Sequence, residues 1–298
     1  MHKESKSKGK LFKDALSKEK PLQVVGTINA ISALLAQKAG FNAIYLSGAG
    51  VANASYGMPD LGVTNLNDVL TDVKRITDIV DIPLLVDIDT GFGSVFGIER
   101  TIREMQKAGA AAIHIEDQDT NKRCGHRPHK KITDVDNMID RIKACSDARF
   151  EKDFVIMART DALQSEGIDS CIDRANQYIE AGADMIFLEG AKSLDEYKKL
   201  SESINKPILA NMTEFGVSPL FTKTELKKAG VSLILYPLSG FRAMNKACEN
   251  AYNVIRNEES QQSLLSNMQT REELYDLINY LEYENKIDLL FNKGKEIT

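Results

Sequence analysis

The chain has 298 residues and a formal net charge of -5, with 43% hydrophobic residues, 27% charged residues and four cysteines. Such a chain can bury a sizeable core and needs no disulfide framework to fold. The longest unbroken apolar run covers the five residues 154–158, whereas a membrane-spanning helix requires about 20. The net acidity argues against nucleic acid as the main partner. We therefore expect a cytoplasmic protein that contacts neither membrane nor nucleic acid.

The amino terminus shows no targeting pattern. Residues 1–20 carry seven lysines and no arginine, and they lack the apolar segment of a secretory signal. We interpret them as a solvated tail followed by a first helix. The four cysteines occur singly, without a C-x-x-C pair, which is typical of a reducing compartment.

A repeated pattern predicts alternating helices and strands. Four amphipathic stretches end in Ala-Gly, and each is followed by a short apolar run, at 43–46, 110–115, 185–188 and 233–236. Glycine suits the left-handed residue that commonly closes a helix. Four further runs have the length of strands and are bounded by proline, glycine or charged residues, at 22–25, 84–88, 154–158 and 208–210. The pattern therefore predicts eight strands.

Eight alternating units favour a (β/α)8 barrel. Alternation of strands and helices implies parallel pairing, and the chain is slightly longer than the about 250 residues typical of this architecture. A doubly wound open sheet is the alternative, but no G-x-G-x-x-G follows the first strand. We predict one barrel domain over 1–298 with a helical extension at 258–298. Because the extension carries an apolar stripe that the barrel does not need, we expect it to pack on another subunit; the stripe contains Leu274, Ile278, Leu281 and Ile287.

Carboxylates follow two neighbouring predicted strands, at the end of the barrel where active sites of this architecture lie. Asp87 and Asp89 are two residues apart and so share one face of a strand, and His114 and Glu116 do the same on the next strand. Three carboxylates in this arrangement predict a site for a hard cation, Mg2+ or alternatively Mn2+. The competing interpretation is that Asp87 and Glu116 form salt bridges with arginines such as Arg159.

A basic stretch at 122–131 follows the fourth predicted strand and should be a loop. Lys122, Arg123 and a protonated His126 flank Cys124, and neighbouring cations lower the pKa of a thiol, which would suit acid, base or nucleophile roles. A solvated charge run is one alternative. A zinc site that includes His129 is another, although no second cysteine lies nearby. The other three cysteines have helical core spacing and are interpreted as packing residues: Cys145, Cys171 and Cys248.

Several motifs together resemble the isocitrate lyase and phosphoenolpyruvate mutase superfamily. The resemblance rests on K-R-C-G-H at 122–126, D-I-D-T-G-F-G at 87–93 and I-E-D-Q at 115–118. It extends over nearly the whole chain, through motifs at 45–48, 157–161, 211–216, 237–239 and 268–271. The cysteine motif is specific, because mutases and hydrolases of the superfamily lack it. The resemblance implies a homotetramer of barrels that exchange their last helices.

The resemblance also implies a reaction. This is the Mg2+-dependent retro-aldol (Claisen-type) cleavage of 2-methylisocitrate, a small tricarboxylate, to pyruvate and succinate in the methylcitrate cycle of propionate catabolism. Asp87 and Asp89, with Glu116 acting through water, would hold the ion. Its charge would stabilise the oxygen that loses its proton when the carbon–carbon bond breaks.

Proton transfer in this reaction would need an acid and a base. By resemblance, Cys124 is the acid that protonates the departing carbon, with His126 and Lys122 tuning it. The base that removes the hydroxyl proton is either Tyr45 or Asp60, and the sequence does not choose between them.

The substrate-binding residues follow from the same resemblance. Three arginines are implied as clamps for the substrate carboxylates: Arg159, Arg242 and Arg271. Backbone amides and a hydroxyl group would bind the carboxylate of the pyruvate part, at Ser47, Gly48 and Ala49. Gly125 would let the backbone approach the substrate closely. Three further polar residues would complete the lining: Glu189, Asn211 and Thr213.

Two positions depart from the family pattern. Ala49 stands where the family usually has a second glycine, and a methyl group there is tolerable unless φ must be positive. Leu188 and Gly190 flank Glu189 in place of the usual proline and alanine, and we expect all these positions to border the pocket. The rival activity is isocitrate lyase, which forms glyoxylate and succinate from a substrate one methyl group smaller. A non-catalytic barrel that binds dicarboxylates is a more remote alternative, because the metal carboxylates and Cys124 are retained together.

Overall fold

The computed structural model describes residues 7–119 and 121–292. Eight strands pair in parallel and in chain order to form a closed barrel. The strands are β1 Leu22–Gly26, β2 Ala43–Leu46, β3 Leu84–Asp87, β4 Ala112–Glu116, β5 Val155–Thr160, β6 Met185–Leu188, β7 Ile208–Asn211 and β8 Leu233–Tyr236. The predicted (β/α)8 barrel is therefore confirmed, with all eight strands in place.

Helices precede β1 and connect the successive strands. They are α1 Lys8–Lys18, α2 Ala30–Lys38, the short turn α3 Gly48–Gly50, α4 Leu66–Thr77, α5 Val95–Lys107, α6 Val135–Ala148, α7 Leu163–Glu180, α8 Leu194–Ser203 and α9 Lys223–Lys228. Gly40, Gly109, Gly182 and Gly230 all have positive φ, between 82° and 117°, as predicted for the residue that ends a helix. None of the helices in the described part of the chain combines the length and apolar character needed to span a bilayer.

Two apolar layers hold the barrel together. The outer layer lies between strands and helices and takes alternate strand residues such as Ile44, Val86 and Ile113. The inner cluster fills the barrel and includes Leu85, Val155 and Leu209, and Phe12 of α1 joins it without any exposed surface. The residues toward the carboxyl ends of the strands are mostly polar, so that end of the interior is available for a site.

A second compact unit begins at Arg242, and the barrel unit ends at Phe241. Helix α10 Ser239–Glu258 crosses this point and is followed by a 3-10 helix at Gln262–Asn267, α11 Arg271–Leu277 and α12 Tyr280–Asn292. The predicted apolar stripe is divided between α11 and α12, because Asn279 takes a left-handed conformation with a φ of 55°. The single-domain assignment and the packing on another subunit stay predictions.

The cysteines only partly match their predicted packing role. Cys145 and Cys171 are buried, whereas Cys248 is exposed. The packing interpretation is therefore wrong for Cys248, since the described part of the chain buries none of the residues of α10.

The contact between β1 and the chain after β8 gives a stability prediction. A Cβ atom on Gly26 would lie 1.7 Å from the carbonyl oxygen of Pro237, which is backbone and cannot rotate away. We expect Gly26→Ala to lower the free energy of unfolding by about 3 kcal/mol or more, because the strand end must move to relieve the clash. The shift of the urea unfolding midpoint measures this effect.

Gly240→Ala is the matched control. No atom of residues 7–119 or 121–292 lies within 4 Å of the added methyl group, so the free energy of unfolding should change by less than about 1 kcal/mol. Equal midpoints for the two variants would contradict the close approach at Gly26.

Candidate active site

Strand register brings the polar residues to one side of the sheet. Asp87 is paired with His114, Glu116 with Arg159, and Arg159 with Phe187. Partners in a parallel sheet point to the same side, and here that side is the barrel interior. The sequence prediction that carboxylates of neighbouring strands share one mouth is consistent with this arrangement.

Arg159 is the buried cation at the centre of this layer. It donates to Asp161 through Nε at 2.9 Å and through Nη2 at 3.1 Å. Its other carboxylate neighbours are Glu116 at 3.3 Å and Glu189 at 3.5 Å, and its guanidinium carbon lies 5.1 Å from the centre of the Phe187 ring. Burial opposes the charge, but the carboxylates outweigh it and hold the pKa of Arg159 well above its ordinary value.

Glu116 is a fully buried carboxylate. Its side chain has no exposed surface, and neither carboxylate oxygen has a hydrogen-bond partner among the described residues. Burial raises the pKa of Glu116 well above its ordinary value, although Arg159 and Lys122 oppose the shift. A buried carboxylate of this kind favours a further cation nearby.

Asp87 is held in place by donors on both oxygens. Oδ1 accepts the backbone N–H of Asp89 at 3.0 Å, and Oδ2 accepts that of Gly48 at 3.0 Å and the hydroxyl of Tyr45 at 3.3 Å. Burial opposes its ionisation, but the charges that His114, Lys122 and Arg159 can carry keep the pKa of Asp87 below its ordinary value. Asp87 is therefore a preorganised carboxylate.

Asp89 lies beside an ammonium group. It has a φ of 49°, and its Oδ1 accepts a hydrogen bond from Nζ of Lys122. The same Nζ lies 2.8 Å from Oδ1 of Asp60, so one lysine bridges the loops after β2, β3 and β4. Burial and the charge of Asp87 raise the pKa of Asp89, against the opposing effect of Lys122. Burial makes the largest contribution to this rise in the pKa of Asp89.

The carboxylates fit a hard cation that keeps part of its hydration. Among residues 7–119 and 121–292, no three His, Cys, Asp or Glu side chains lie close enough to hold a metal ion by themselves. Mg2+ is commonly bound by one or two carboxylates, with water and substrate completing its shell. Asp87 and Asp89 provide two such carboxylates, and Glu116, whose oxygens accept no hydrogen bond among the described residues, is a third that could bind through water.

The cysteine loop lies against this layer. A Cβ atom on Gly125 would lie 2.4 Å from Nη2 of Arg159, so only glycine allows the loop to approach this closely. His126 contacts Glu189 at 3.3 Å and Asn211 at 3.3 Å through Nε2, and its Nδ1 accepts the backbone N–H of Val217 at 3.2 Å. The loop is therefore a packed part of the site rather than a solvated charge run.

The expected lowering of the Cys124 thiol pKa is wrong. Burial raises the pKa of this half-buried thiol, and the negative charge of Asp60 adds to the effect, against a backbone hydrogen bond from His126. Lys122 and Arg123 lie close to Cys124 in sequence. The ammonium group of Lys122, however, contacts the carboxylates of Asp89 and Asp60. Cys124 is therefore a neutral thiol near pH 7, which suits a proton donor.

The other predicted substrate-binding residues of the barrel unit lie after β2 and at the end of β7. Thr213 donates to Asn211 at 2.8 Å, and Asn211 donates to Glu189 at 3.1 Å. Ser47 is buried and lies at the N-terminus of the turn α3. Ala49 is part of the helical turn α3, where its methyl group requires no positive φ.

The two residues next to Glu189, Leu188 and Gly190, differ in their surroundings and backbone conformation. Leu188 packs in the outer layer between strands and helices, so the expectation that it borders the pocket is wrong. Phe187, one residue earlier, faces the interior instead, as strand alternation requires. Gly190 has a φ of 75°, a backbone conformation that the alanine usual in the family would adopt only under strain.

Arg242 and Arg271 belong to the second unit. Arg242 lies in the first turns of α10 and Arg271 begins α11. Their role as carboxylate clamps stays a prediction.

Sequence reasoning missed two supporting carboxylates. Asp161 binds Arg159 from two residues away, a spacing that places both on one face of a strand and could have revealed the pair. Asp117 points the other way and accepts hydrogen bonds from the Thr160 hydroxyl at 2.7 Å, the Asp161 N–H at 2.8 Å and the Tyr178 hydroxyl at 2.9 Å. Asp117 thus fixes the backbone that carries Asp161, and no sequence signal indicated its partner on α7.

The barrel and its polar mouth define a class of protein. A buried arginine, carboxylates suited to a hard cation and a cysteine loop meet at the carboxyl ends of parallel strands, as in (β/α)8-barrel enzymes that act on small anionic substrates.

Comparison with known proteins gives the family. The family model described as phosphoenolpyruvate phosphomutase matches residues 12–256. A 2-methylisocitrate lyase of Escherichia coli (strain K12) is 58% identical over 290 residues, which cover 97% of this chain and 98% of the relative. The crystal structure of 2,3-dimethylmalate lyase superposes with a TM-score of 0.87 at 32% identity and covers 95% of each chain. A phosphonopyruvate hydrolase in complex with oxalate and Mg2+ gives a TM-score of 0.83 at 26% identity, covering 95% of this chain and 98% of the other.

The chain belongs to the phosphoenolpyruvate mutase family and, within it, to the branch of the 2-methylisocitrate lyases.

The state of the Cys124 thiol gives a prediction about pH. Because only the thiolate reacts with iodoacetamide, and burial raises the pKa of this thiol, we expect its alkylation rate to rise through a midpoint above the ordinary thiol range of about 8.5. Mass spectrometry of the Cys124 peptide at a series of pH values measures this midpoint. A midpoint below the ordinary range would restore the thiolate interpretation.

Proposed function

We propose that this chain is a Mg2+-dependent carbon–carbon lyase that cleaves 2-methylisocitrate to pyruvate and succinate, in the methylcitrate cycle of propionate catabolism. The observation that carries the proposal is that Lys122, two residues before Cys124, contacts Asp89 in the same polar layer that holds Asp87 and the Glu116–Arg159 pair. Burial raises the pKa of the Cys124 thiol, which suits a proton donor. The 2-methylisocitrate lyase of Escherichia coli, at 58% identity over almost the full length, supports the choice of substrate.

The carboxylate layer is proposed to hold Mg2+, with Mn2+ as a substitute. Asp87 and Asp89 would be ligands, and Glu116 would act through water, in keeping with its oxygens that lack hydrogen-bond donors. When bound, the ion supplies Lewis-acid stabilisation for the negative charge that develops on the substrate oxygen. Gly48 and Tyr45 keep Asp87 oriented for this role by donating to Oδ2.

Asp60 is the better candidate for the base. The hydroxyl of Tyr45 donates to Asp87 and lies 2.9 Å from Nε2 of His114, and burial holds its pKa well above its ordinary value. A phenol of this kind is a poor proton acceptor, so Tyr45 is a positioning residue. Asp60 is partly exposed and fixed by Lys122, and its carboxylate can take the proton of the substrate hydroxyl.

Cys124 is the proposed acid. When the carbon–carbon bond breaks, its electron pair passes to the carbon of the departing succinate, which must gain a proton. A neutral thiol carries that proton at physiological pH, whereas a thiolate would not. His126, held between Glu189 and Asn211, fixes the loop next to the thiol.

Arginines are proposed to bind the substrate carboxylates. Arg159 presents its guanidinium beside Gly125 and would stabilise the developing oxyanion, and Arg242 and Arg271 would supply the further clamps. Ser47 and Ala49 would contact the carboxylate of the pyruvate part, with Gly48 contributing through Asp87.

We also propose a homotetramer in the cytoplasm, without nucleic acid or membrane partners. Several large apolar side chains of the second unit are more than half exposed in the single chain, which supports their burial by another subunit. They are Leu281, Tyr283, Leu289, Leu290 and Phe291.

A parallel substrate assay tests the proposed reaction. With Mg2+ present, we expect pyruvate release from 2-methylisocitrate and much weaker glyoxylate release from isocitrate, because one methyl group in an apolar pocket is worth about 1–3 kcal/mol. Excess EDTA should abolish turnover, and added Mg2+ should restore it. Dominant glyoxylate release would instead make the chain an isocitrate lyase, and silence on both substrates would favour a binding role.

Variants at the two proton-transfer positions test their roles. We expect Cys124→Ser and Asp60→Asn each to lower kcat by about 100-fold or more, because each removes a group that transfers a proton. Succinate and pyruvate should still bind, which calorimetry in the presence of Mg2+ measures.

Cys248→Ser is the matched control, because this cysteine is exposed in the single chain and has no role in the proposed reaction. Its kcat should equal that of the wild type. Persistent turnover in Cys124→Ser would refute the assignment of the acid, and persistent turnover in Asp60→Asn would return the base role to Tyr45.

A further inference from the structure

Asp161 binds two cations that belong to different parts of the site. Its Oδ2 accepts from Nε of Arg159 on β5 at 2.9 Å, and its Oδ1 accepts from Nη2 of Arg159 at 3.1 Å. Oδ1 also accepts from Nζ of Lys130 at 2.8 Å, and Lys130 lies at the far end of the cysteine loop. One buried carboxylate therefore joins the barrel cation to the loop.

The side chain of Lys130 is buried although the residue stands in a basic stretch. Only 3% of its side chain is exposed, and its Nζ donates both to Asp161 and to the carbonyl oxygen of Gly125 at 2.7 Å. Its neighbour Lys131 is exposed and contributes a backbone carbonyl oxygen, which accepts from Asp119 at 2.8 Å. Because a buried ammonium is costly unless it is paired, this orientation of Lys130 is a specific feature of the site.

The contacts form a closed circuit. The ammonium group of Lys130 donates to the carbonyl oxygen of Gly125. Gly125 lies so close to Arg159 that an added Cβ atom would be 2.4 Å from the guanidinium group. Arg159 and Lys130 both bind the carboxylate of Asp161. Lys130 therefore connects the loop to Arg159 through the carboxylate that the two cations share. Charge-assisted hydrogen bonds of this kind are stronger than neutral ones, and they are stronger still where water is excluded.

We propose that Lys130 is a positioning residue that tethers the cysteine loop to Asp161, and thereby sets the distance of Cys124 from the groups around Arg159. The catalytic part of this inference rests on the proposed lyase function, whereas the tether itself does not. Without Lys130, Gly125 loses a donor and Asp161 keeps only Arg159. The loop then leaves Arg159 more often, and Cys124 becomes more accessible.

Cysteine alkylation in the full-length protein tests the tether without any substrate. Iodoacetamide is applied at fixed pH, and the rates at the Cys124 and Cys248 peptides are compared within each sample by mass spectrometry. Lys130→Met should raise the ratio of the Cys124 rate to the Cys248 rate about tenfold, since it removes two charge-assisted hydrogen bonds. Cys145 and Cys171 are buried and should stay unreactive, which separates loop release from general loosening of the fold.

Lys131→Met is the matched control, since it removes an adjacent exposed lysine. Its alkylation ratio should equal that of the wild type. In the lyase assay, Lys130→Met should lower kcat about tenfold or more, whereas Lys131→Met should not. Equal alkylation ratios for the two variants would overturn the tether.

Two further variants test the Lys130–Asp161 tether if Lys130→Met does not fold. Lys130→Arg keeps the charge and the donors and should keep the wild-type alkylation ratio, whereas Lys130→Gln has no charge for Asp161 and should raise it. Equal ratios in these two variants would overturn the proposal. If the wild-type protein were inactive on both substrates, the proposed lyase function would be refuted. If the alkylation ratio still rose in Lys130→Met, the tether would stand independently of that function.

Discussion

The charge of Arg159 is the constraint on which the rest of the site depends. A buried guanidinium requires carboxylates, and three surround it, Asp161, Glu116 and Glu189. Each comes from the carboxyl end of a barrel strand, so the closed parallel sheet itself supplies the balance of charge. Asp161 also binds Lys130 of the cysteine loop, whereas neither oxygen of Glu116 accepts a hydrogen bond from the described residues.

The charged and polar surroundings of Asp87, Glu116 and Cys124 suit these residues to different roles. Donors on both oxygens make Asp87 a fixed anion, whereas the described residues supply none to either oxygen of Glu116. Burial and the charge of Asp60 raise the pKa of Cys124, against a backbone hydrogen bond from His126 and the charge of Arg159, so the thiol keeps its proton. Proximity in sequence and proximity in space therefore have opposite consequences for this thiol. A lyase of this kind needs such a division, with a cation site and a protonated acid close together.

The fold was predictable because its signals are local and repeated. Apolar runs and helix-ending glycines mark each unit, and all eight strands appear where these signals predict them. Site residues directly after the strands were predictable for the same reason, as with Asp87 and Glu116. The roles of Lys130 and Asp117 were not, since their partners come from other elements and follow no fixed spacing. The exposure of Cys248 was missed because helical spacing alone does not show whether anything covers a face.

The sequence by itself determined the alternation of strand and helix, the end of the barrel that carries the polar residues, and the motifs of the family. Those properties depend on periodicity and residue type, which a linear chain displays. Only the tertiary structure decided that Cys124 is a neutral thiol, that Tyr45 donates to Asp87, and that Leu188 faces away from the barrel interior. The reason is physical: burial and charge pairing depend on what surrounds a group in three dimensions, and they outweigh the influence of its neighbours along the chain.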